Sequence, residues 1–112
     1  MIHFRPEEVV GLQPRLVGML DEARTIAGVP FQITSGLRTA AENRLSQGVD
    51  NSAHLRGLGV DLACSDPQAR FFMLVGLMRV GFRHLGIYDH HVHADCDDSL
   101  PQNVVWTGVS HP

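Results

Sequence analysis

Two stretches of the chain carry apolar residues at the spacing of an α-helix. The first runs from about Gln13 to Gly28, and the second runs from Pro67 to Gly81. Residues three and four positions apart lie on one face of a helix, so each pattern predicts an amphipathic helix with its apolar stripe in the core. Asp66 is placed to cap the second helix. The predicted core stripes are Leu12, Leu16, Val17, Leu20, Ala23, Ile26 and Ala27 in the first helix, and Phe71, Leu74, Val75 and Met78 in the second.

Shorter stretches with the character of strands lie between and after these helices. They are bounded by glycine, proline and polar residues, which are typical of turns. Strands are predicted at residues 31–34, 59–64, 85–88, 91–96 and 104–106, and a short helix at 39–45. This order predicts one α+β domain over residues 1–112, with a small antiparallel sheet and helices packed on one side of it.

The charge balance restricts the kinds of partner. All nine basic residues are arginines, and the formal net charge is −3. Nucleic-acid-binding domains normally carry a basic patch, so we expect no nucleic-acid partner. The longest apolar run, 71–78, is too short to span a bilayer, and residues 1–6 do not resemble the start of a signal peptide. We expect a monomer that is made in the cytoplasm and does not attach to a membrane.

The two cysteines, Cys64 and Cys96, are predicted to be buried free thiols. Each falls on the strand face that points toward the core, because side chains alternate along a strand. A disulfide between them stays possible, since sequence alone does not decide whether the two strands bring them together.

Residues 52–61 form the first of two polar segments suited to chemistry. The segment reads S-x-H-x-x-G-x-x-x-D, so that Asp61 follows His54 by seven residues with two glycines between them. The glycines favour a bend in the backbone, which predicts a loop that enters a strand rather than one face of a helix.

The second segment, 90–95, is rich in histidine. Alternation along a strand would place His91, His93 and Asp95 on one face and their apolar neighbours on the other. Catalytic zinc sites usually draw three ligands from His, Asp, Glu and Cys and leave a fourth position for water. The two segments together predict a zinc site that contains two histidines and one carboxylate.

Three segments of the chain resemble the M15 family of zinc peptidases. They are ITSGLRT at 33–39, NSAHLRGLGVD at 51–61, and GIY at 86–88 with HVH at 91–93. The family includes D-alanyl-D-alanine carboxypeptidases and phage endolysins that cut L-alanyl-D-glutamate bonds. Gly59 departs from the alanine that the family usually has. The resemblance implies the small α+β fold of M15 and hedgehog-like peptidases, with zinc on the sheet face.

The resemblance also assigns roles to individual residues. It implies that His54, Asp61 and His93 bind Zn²⁺ and that Arg38 orients or polarises the substrate. Bound zinc polarises a carbonyl group and lowers the pKa of its water to near neutrality, and a cation aimed at the developing oxyanion stabilises the transition state.

The resemblance leaves the general base open. Several members have an acidic residue three positions before the last ligand, but this chain has His90 there. The candidates are, in order of preference, Asp89, His91 and His90, and His91 matches the His-x-His arrangement of other members. Asp95 is expected to orient a ligand histidine, as such imidazoles usually require a partner.

The predicted function is zinc-dependent hydrolysis of peptide bonds in the stem peptides of peptidoglycan. The bond is either a terminal D-Ala-D-Ala bond or an internal bond such as L-Ala to D-Glu. The protein would act as a phage or prophage endolysin, either after release from the cell or as part of a virion. The alternative is a zinc-bearing module of a phage or cell-wall assembly that binds or supports structure without catalysis.

Overall fold

The computed structural model describes residues 2–37, 39 and 52–110 of the chain. Most of the short helix predicted at 39–45, and most of the loop that follows it, lie outside these residues. The helices are a short 3-10 helix Pro6–Val9, α1 Pro14–Ala27, a 3-10 helix Ala53–Arg56 and α2 Pro67–Val80. The strands are β1 Ile33–Ser35, β2 Gly59–Ala63, β3 His84–Ile87, β4 His91–Asp95 and β5 Val104–Thr107.

The ends of both long helices lie where the sequence predicts them. α1 follows Gln13 and ends at Gly28, whose backbone is in the left-handed conformation. The carboxylate of Asp66 accepts a hydrogen bond of 2.8 Å from the backbone N–H of Ala69, and α2 ends at Gly81. Such a cap satisfies a donor that the first turn of a helix leaves unpaired.

The five strands form one sheet in the order β1-β2-β4-β3-β5. The pairs β1–β2, β2–β4 and β3–β4 are antiparallel, whereas β3 and β5 are parallel. The prediction of an antiparallel sheet is therefore correct for β1–β4. The parallel edge strand β5 makes the whole sheet a mixed one. The α+β fold with a small sheet is confirmed.

The core lies between the two long helices and one face of the sheet. The alternate residues of β2 and β4 that face it are fully buried: Val60, Leu62, Val92 and Ala94. Cys64 and Cys96 belong to the same cluster, and both are free thiols, which confirms that prediction. The other face of β2 and β4 is therefore left to polar side chains.

The face of α2 that packs in the core is only partly the predicted one: Leu74 of the predicted stripe packs against the core, but Phe71 and Met78 do not. Phe71 is 63% exposed and Met78 is 46% exposed, whereas Met73, Gly76 and Leu77 are buried. The prediction was wrong because α2 is apolar on nearly every side, so the spacing of its large residues does not select a face. The buried face is selected by Gly76 instead, because a residue without a side chain lets α2 approach the backbone of α1 closely.

The first helical stripe is mostly confirmed. Leu16, Leu20, Ala23 and Ala27 are buried, but Ile26 is exposed.

Neither long helix, nor any other helix in the part of the chain that the structure describes, has the length and hydrophobicity needed to cross a membrane.

Candidate metal centre

Three side chains from separate segments meet on the polar face of the sheet. His54 lies on the 3-10 helix before β2, Asp61 lies on β2, and His93 lies on β4. Asp61 and His93 are direct partners across the two strands. Each of the three residues offers one ligand atom, and these atoms lie within 4.8 Å of one another. The structure therefore brings together the three predicted metal ligands.

The carboxylate of Asp61 lies between the two imidazoles. Its Oδ1 is 3.2 Å from Nε2 of His54 and 3.1 Å from Nδ1 of His93. These nitrogens and the carboxylate oxygen are the atoms that point into the centre of the group. Two imidazoles and one carboxylate match the three-ligand sets of catalytic zinc sites, which keep a further position for water.

The outer nitrogen of each imidazole also has an acceptor. Nδ1 of His54 lies 2.8 Å from the backbone carbonyl oxygen of Gly36, and Nε2 of His93 lies 2.7 Å from Oδ2 of Asp95. An acceptor at the outer nitrogen holds a proton there and leaves the inner lone pair for a metal. Both rings are thus oriented as metal ligands would require, and Asp95 contacts His93, one of the three predicted ligands.

The charges of the group are strongly coupled. Burial alone would raise the pKa of Asp61, but hydrogen bonds from His54 and His93 hold the pKa of this carboxylate well below its usual range. Burial alone would lower the pKa of His93, but hydrogen bonds to Asp61 and Asp95 outweigh it and raise the pKa to about 9. In the absence of a metal, a proton on His93 therefore balances the buried carboxylates, and a cation would take its place.

Gly59 stands beside these ligands, at the start of β2. A Cβ atom at this position would lie 2.9 Å from Cβ of Ala53, 3.2 Å from Cβ of Asp95 and 3.3 Å from Cε1 of His93. In this chain an alanine here would need its neighbours to shift, because the segment that carries His54 packs directly on the start of the strand.

His84 joins the site although the sequence reasoning did not include it. Its Nδ1 lies 2.6 Å from Oδ2 of Asp95, the same oxygen that contacts His93. His84 and Asp95 are partners across β3 and β4. Alternation along β3 gives no signal for this contact by itself. Only the pairing of β3 with β4 places residues 84 and 86 on the same side of the sheet as residues 93 and 95.

The candidate bases lie near the turn between β3 and β4. Oδ1 of Asp89 accepts a hydrogen bond of 2.6 Å from the backbone N–H of Ser110, which lowers the pKa of this exposed carboxylate. Nδ1 of His91 lies 2.7 Å from Oγ of Ser110, and its ring stacks on Tyr88 with the centroids 4.2 Å apart. Burial lowers the pKa of His91. His90 is exposed, with its Nδ1 3.1 Å from Oγ of Ser65 and its Nε2 3.7 Å from Oδ2 of Asp89.

Arg38, the predicted residue for substrate polarisation, lies outside the residues that the structure describes. Its role stays a prediction from the sequence.

The indole of Trp106 forms one side of the site. Its ring centroid lies 4.5 Å from that of His84 and 5.6 Å from that of His93, and Nε1 donates a hydrogen bond of 2.8 Å to the hydroxyl of Tyr88. The indole can lie across β3 because residue 86 is glycine: a Cβ there would be 2.6 Å from the ring. Trp106 therefore lines the site.

Comparisons with known proteins agree with this geometry. A family model described as Peptidase M15 matches residues 3–97 of the chain. The crystal structure of the L-Ala D-Glu endopeptidase ChiX of Serratia marcescens is similar, with a TM-score of 0.56 and 26% sequence identity. The similarity covers 66% of this chain and 65% of that chain, which is just under two thirds of the endopeptidase. A comparison with curated proteins gave no match. The family match includes all three residues of the metal-capable group, and the chain belongs to the peptidase M15 family.

Proposed function

We propose that this protein is a zinc-dependent peptidase that hydrolyses the L-Ala to D-Glu bond of peptidoglycan stem peptides. The observation that carries the proposal is the meeting of His54, Asp61 and His93, with both outer imidazole nitrogens held by acceptors. Membership of the M15 family supports the peptidase activity. Similarity to an L-Ala D-Glu endopeptidase favours this bond over a terminal D-Ala-D-Ala bond.

The three residues of the group would hold Zn²⁺ through Nε2 of His54, a carboxylate oxygen of Asp61 and Nδ1 of His93. When bound, the ion polarises the scissile carbonyl and lowers the pKa of a water molecule. The chain itself fixes the rings, through Gly36 and Asp95, so that the ligand atoms do not have to reorganise.

Of the candidate bases, His91 has the best support. It lies two residues before His93 on β4, so its side chain faces the same side of the sheet. The contact with Ser110 at Nδ1 fixes the ring and leaves Nε2 to take a proton from the attacking water and pass it to the leaving amine. The carboxylate of Asp89 accepts a hydrogen bond from the backbone N–H of the same Ser110, and we assign Asp89 the role of orienting His91.

Arg38 is proposed to stabilise the negative charge on the carbonyl oxygen, on the basis of the family resemblance of residues 33–39. An endolysin of a phage or prophage would use such an activity to open the cell wall, and this biological role stays a prediction.

Mass spectrometry of zinc-loaded protein incubated with defined muropeptides tests the proposal. We expect a new amino terminus at D-Glu, and loss of this product in His54→Ala and Asp61→Ala. His3→Ala is the matched control, because His3 is a histidine whose ring contacts Thr25 away from the site. Release of terminal D-Ala alone would reassign the bond, and stoichiometric zinc with no cleavage would favour the non-catalytic module.

A further inference from the structure

We propose that His84 is a positioning residue for the metal ligand His93 and that it acts through the carboxylate of Asp95. This inference rests on the proposed zinc site. His84, His93 and Asp95 form a second group whose ligand atoms lie within 4.8 Å of one another. The group extends from the ligand His93 toward the outer strands β3 and β5.

Both imidazoles converge on one oxygen of Asp95. Oδ2 lies 2.6 Å from Nδ1 of His84 and 2.7 Å from Nε2 of His93, and the side chain of Asp95 is fully buried. Oδ1 accepts a hydrogen bond of 3.2 Å from the backbone N–H of Asp97. A carboxylate only accepts hydrogen bonds, so each ring donates an N–H to Oδ2. The shared oxygen therefore fixes a proton on Nε2 of His93.

This proton decides which nitrogen of His93 faces the metal ligands. With a proton held on Nε2, Nδ1 is the nitrogen that faces Asp61 and His54, and it is the one that would give up its proton to a bound cation. The same arrangement argues against a second metal at the outer group, because Oδ2 lies 2.6 and 2.7 Å from the two nitrogens, a hydrogen-bond spacing. Two ligands that are each about 2.0–2.2 Å from one tetrahedral zinc ion lie about 3.3 Å apart. His84 thus completes the hydrogen bonding of Asp95 rather than binding a second ion.

The ring of His84 is itself held in place. Its centroid lies 4.5 Å from that of Trp106, and its side chain is 16% exposed. It is also the cross-strand partner of Asp95, so the backbone register of β3 and β4 aims Nδ1 at the carboxylate. Loss of the donor would leave a buried carboxylate with one hydrogen bond fewer and free to turn away from His93. Such outer partners typically change metal affinity about 10- to 100-fold.

Two substitutions of His84 separate positioning from packing. His84→Leu removes the donor and keeps a side chain of comparable bulk, whereas His84→Asn retains an N–H near the position of Nδ1. We expect zinc affinity, measured by competition with a chromogenic chelator, to fall about 10- to 100-fold in His84→Leu. The asparagine variant should recover most of this loss. Equal affinity in the wild type and His84→Leu, or an equal loss in both variants, would overturn the proposal.

A measurement on the unmodified protein does not depend on how the variants fold. Long-range ¹H–¹⁵N spectra of the zinc-loaded wild type should show the proton of His93 on Nε2 and zinc on Nδ1. The opposite tautomer, or two zinc ions per chain, would overturn the role of His84 while leaving the zinc site intact. If the wild type binds no zinc at all, the proposed function fails together with this inference.

Discussion

Replacement of Gly76 by alanine should destabilise the protein, although alanine is the better helix former. Gly76 lies in the middle of α2, at the point where this helix crosses α1. A Cβ atom added there would lie 2.3 Å from the backbone carbonyl oxygen of Ala23 and 3.0 Å from Cβ of Ala27. Ordinary contacts of a Cβ begin at 3.4 Å, so the helices would have to separate by about 1 Å.

The size of the effect follows from two opposing terms. Overpacking of a well-packed core costs about 1–3 kcal/mol. The upper half of this range applies to Gly76→Ala, because the backbone oxygen of Ala23 inside α1 cannot rotate away from the added Cβ. Replacing glycine by alanine in a helix contributes about 0.5–1 kcal/mol in the stabilising direction. We therefore expect Gly76→Ala to lower the free energy of unfolding by about 1–2.5 kcal/mol.

Gly18 provides the matched control in the other helix. It is an exposed glycine inside α1, and a Cβ there would meet nothing within 4 Å. Gly18→Ala should raise the free energy of unfolding by about 0.5–1 kcal/mol, because only the propensity term remains. Guanidinium denaturation followed by far-UV circular dichroism measures both variants. If Gly76→Ala were as stabilising as Gly18→Ala, the close approach of the two helices would be refuted.

Two further predictions concern the site. In metal-free protein, NMR should show the imidazole of His93 titrating near pH 9, because its hydrogen bonds to Asp61 and Asp95 outweigh the effect of burial on its pKa. A midpoint at or below the ordinary pKa of about 6.5 would contradict this coupling. As the folded pKa lies above the unfolded value, the stability that His93 contributes is complete below about pH 6.5 and is lost as the pH rises through 9. Gly86→Ala should displace the indole of Trp106 from β3 and shift its fluorescence emission, since a Cβ at position 86 would lie 2.6 Å from the ring; an unchanged emission spectrum would place the ring elsewhere.

The sequence predicts the ends of the long helices well because the signals are local. Pro14 and Asp66 begin the helices, and Gly28 and Gly81 end them, through interactions within a few residues along the chain. The face of α2 is a different kind of property. It depends on Gly76 meeting a helix more than forty residues earlier, and no periodicity within α2 contains that contact.

The meeting of the three proposed metal ligands was predictable for a related reason, whereas their outer partner was not. His54 and Asp61 lie seven residues apart, and the alternation of polar and apolar residues around His93 predicts a strand with His93 on its polar face. His84 reaches the site only through the pairing of β3 with β4, which sequence alternation does not reveal. The parallel pairing of β5, which brings Trp106 across Gly86, is a contact of the same kind.

The register between β2 and β4 links the core to the site. Val60 pairs with Ala94 and Leu62 pairs with Val92 on the face that packs against the helices, and these pairings place Asp61 opposite His93 on the other face. A slip by one residue would turn every side chain of one strand to the wrong face and expose its buried apolar residues. Burial of the core thus fixes the register, and the register fixes the positions of Asp61 and His93 in the metal-capable group. The geometry of the metal-capable group on β2 and β4 is therefore stabilised by apolar residues on the opposite face of the sheet.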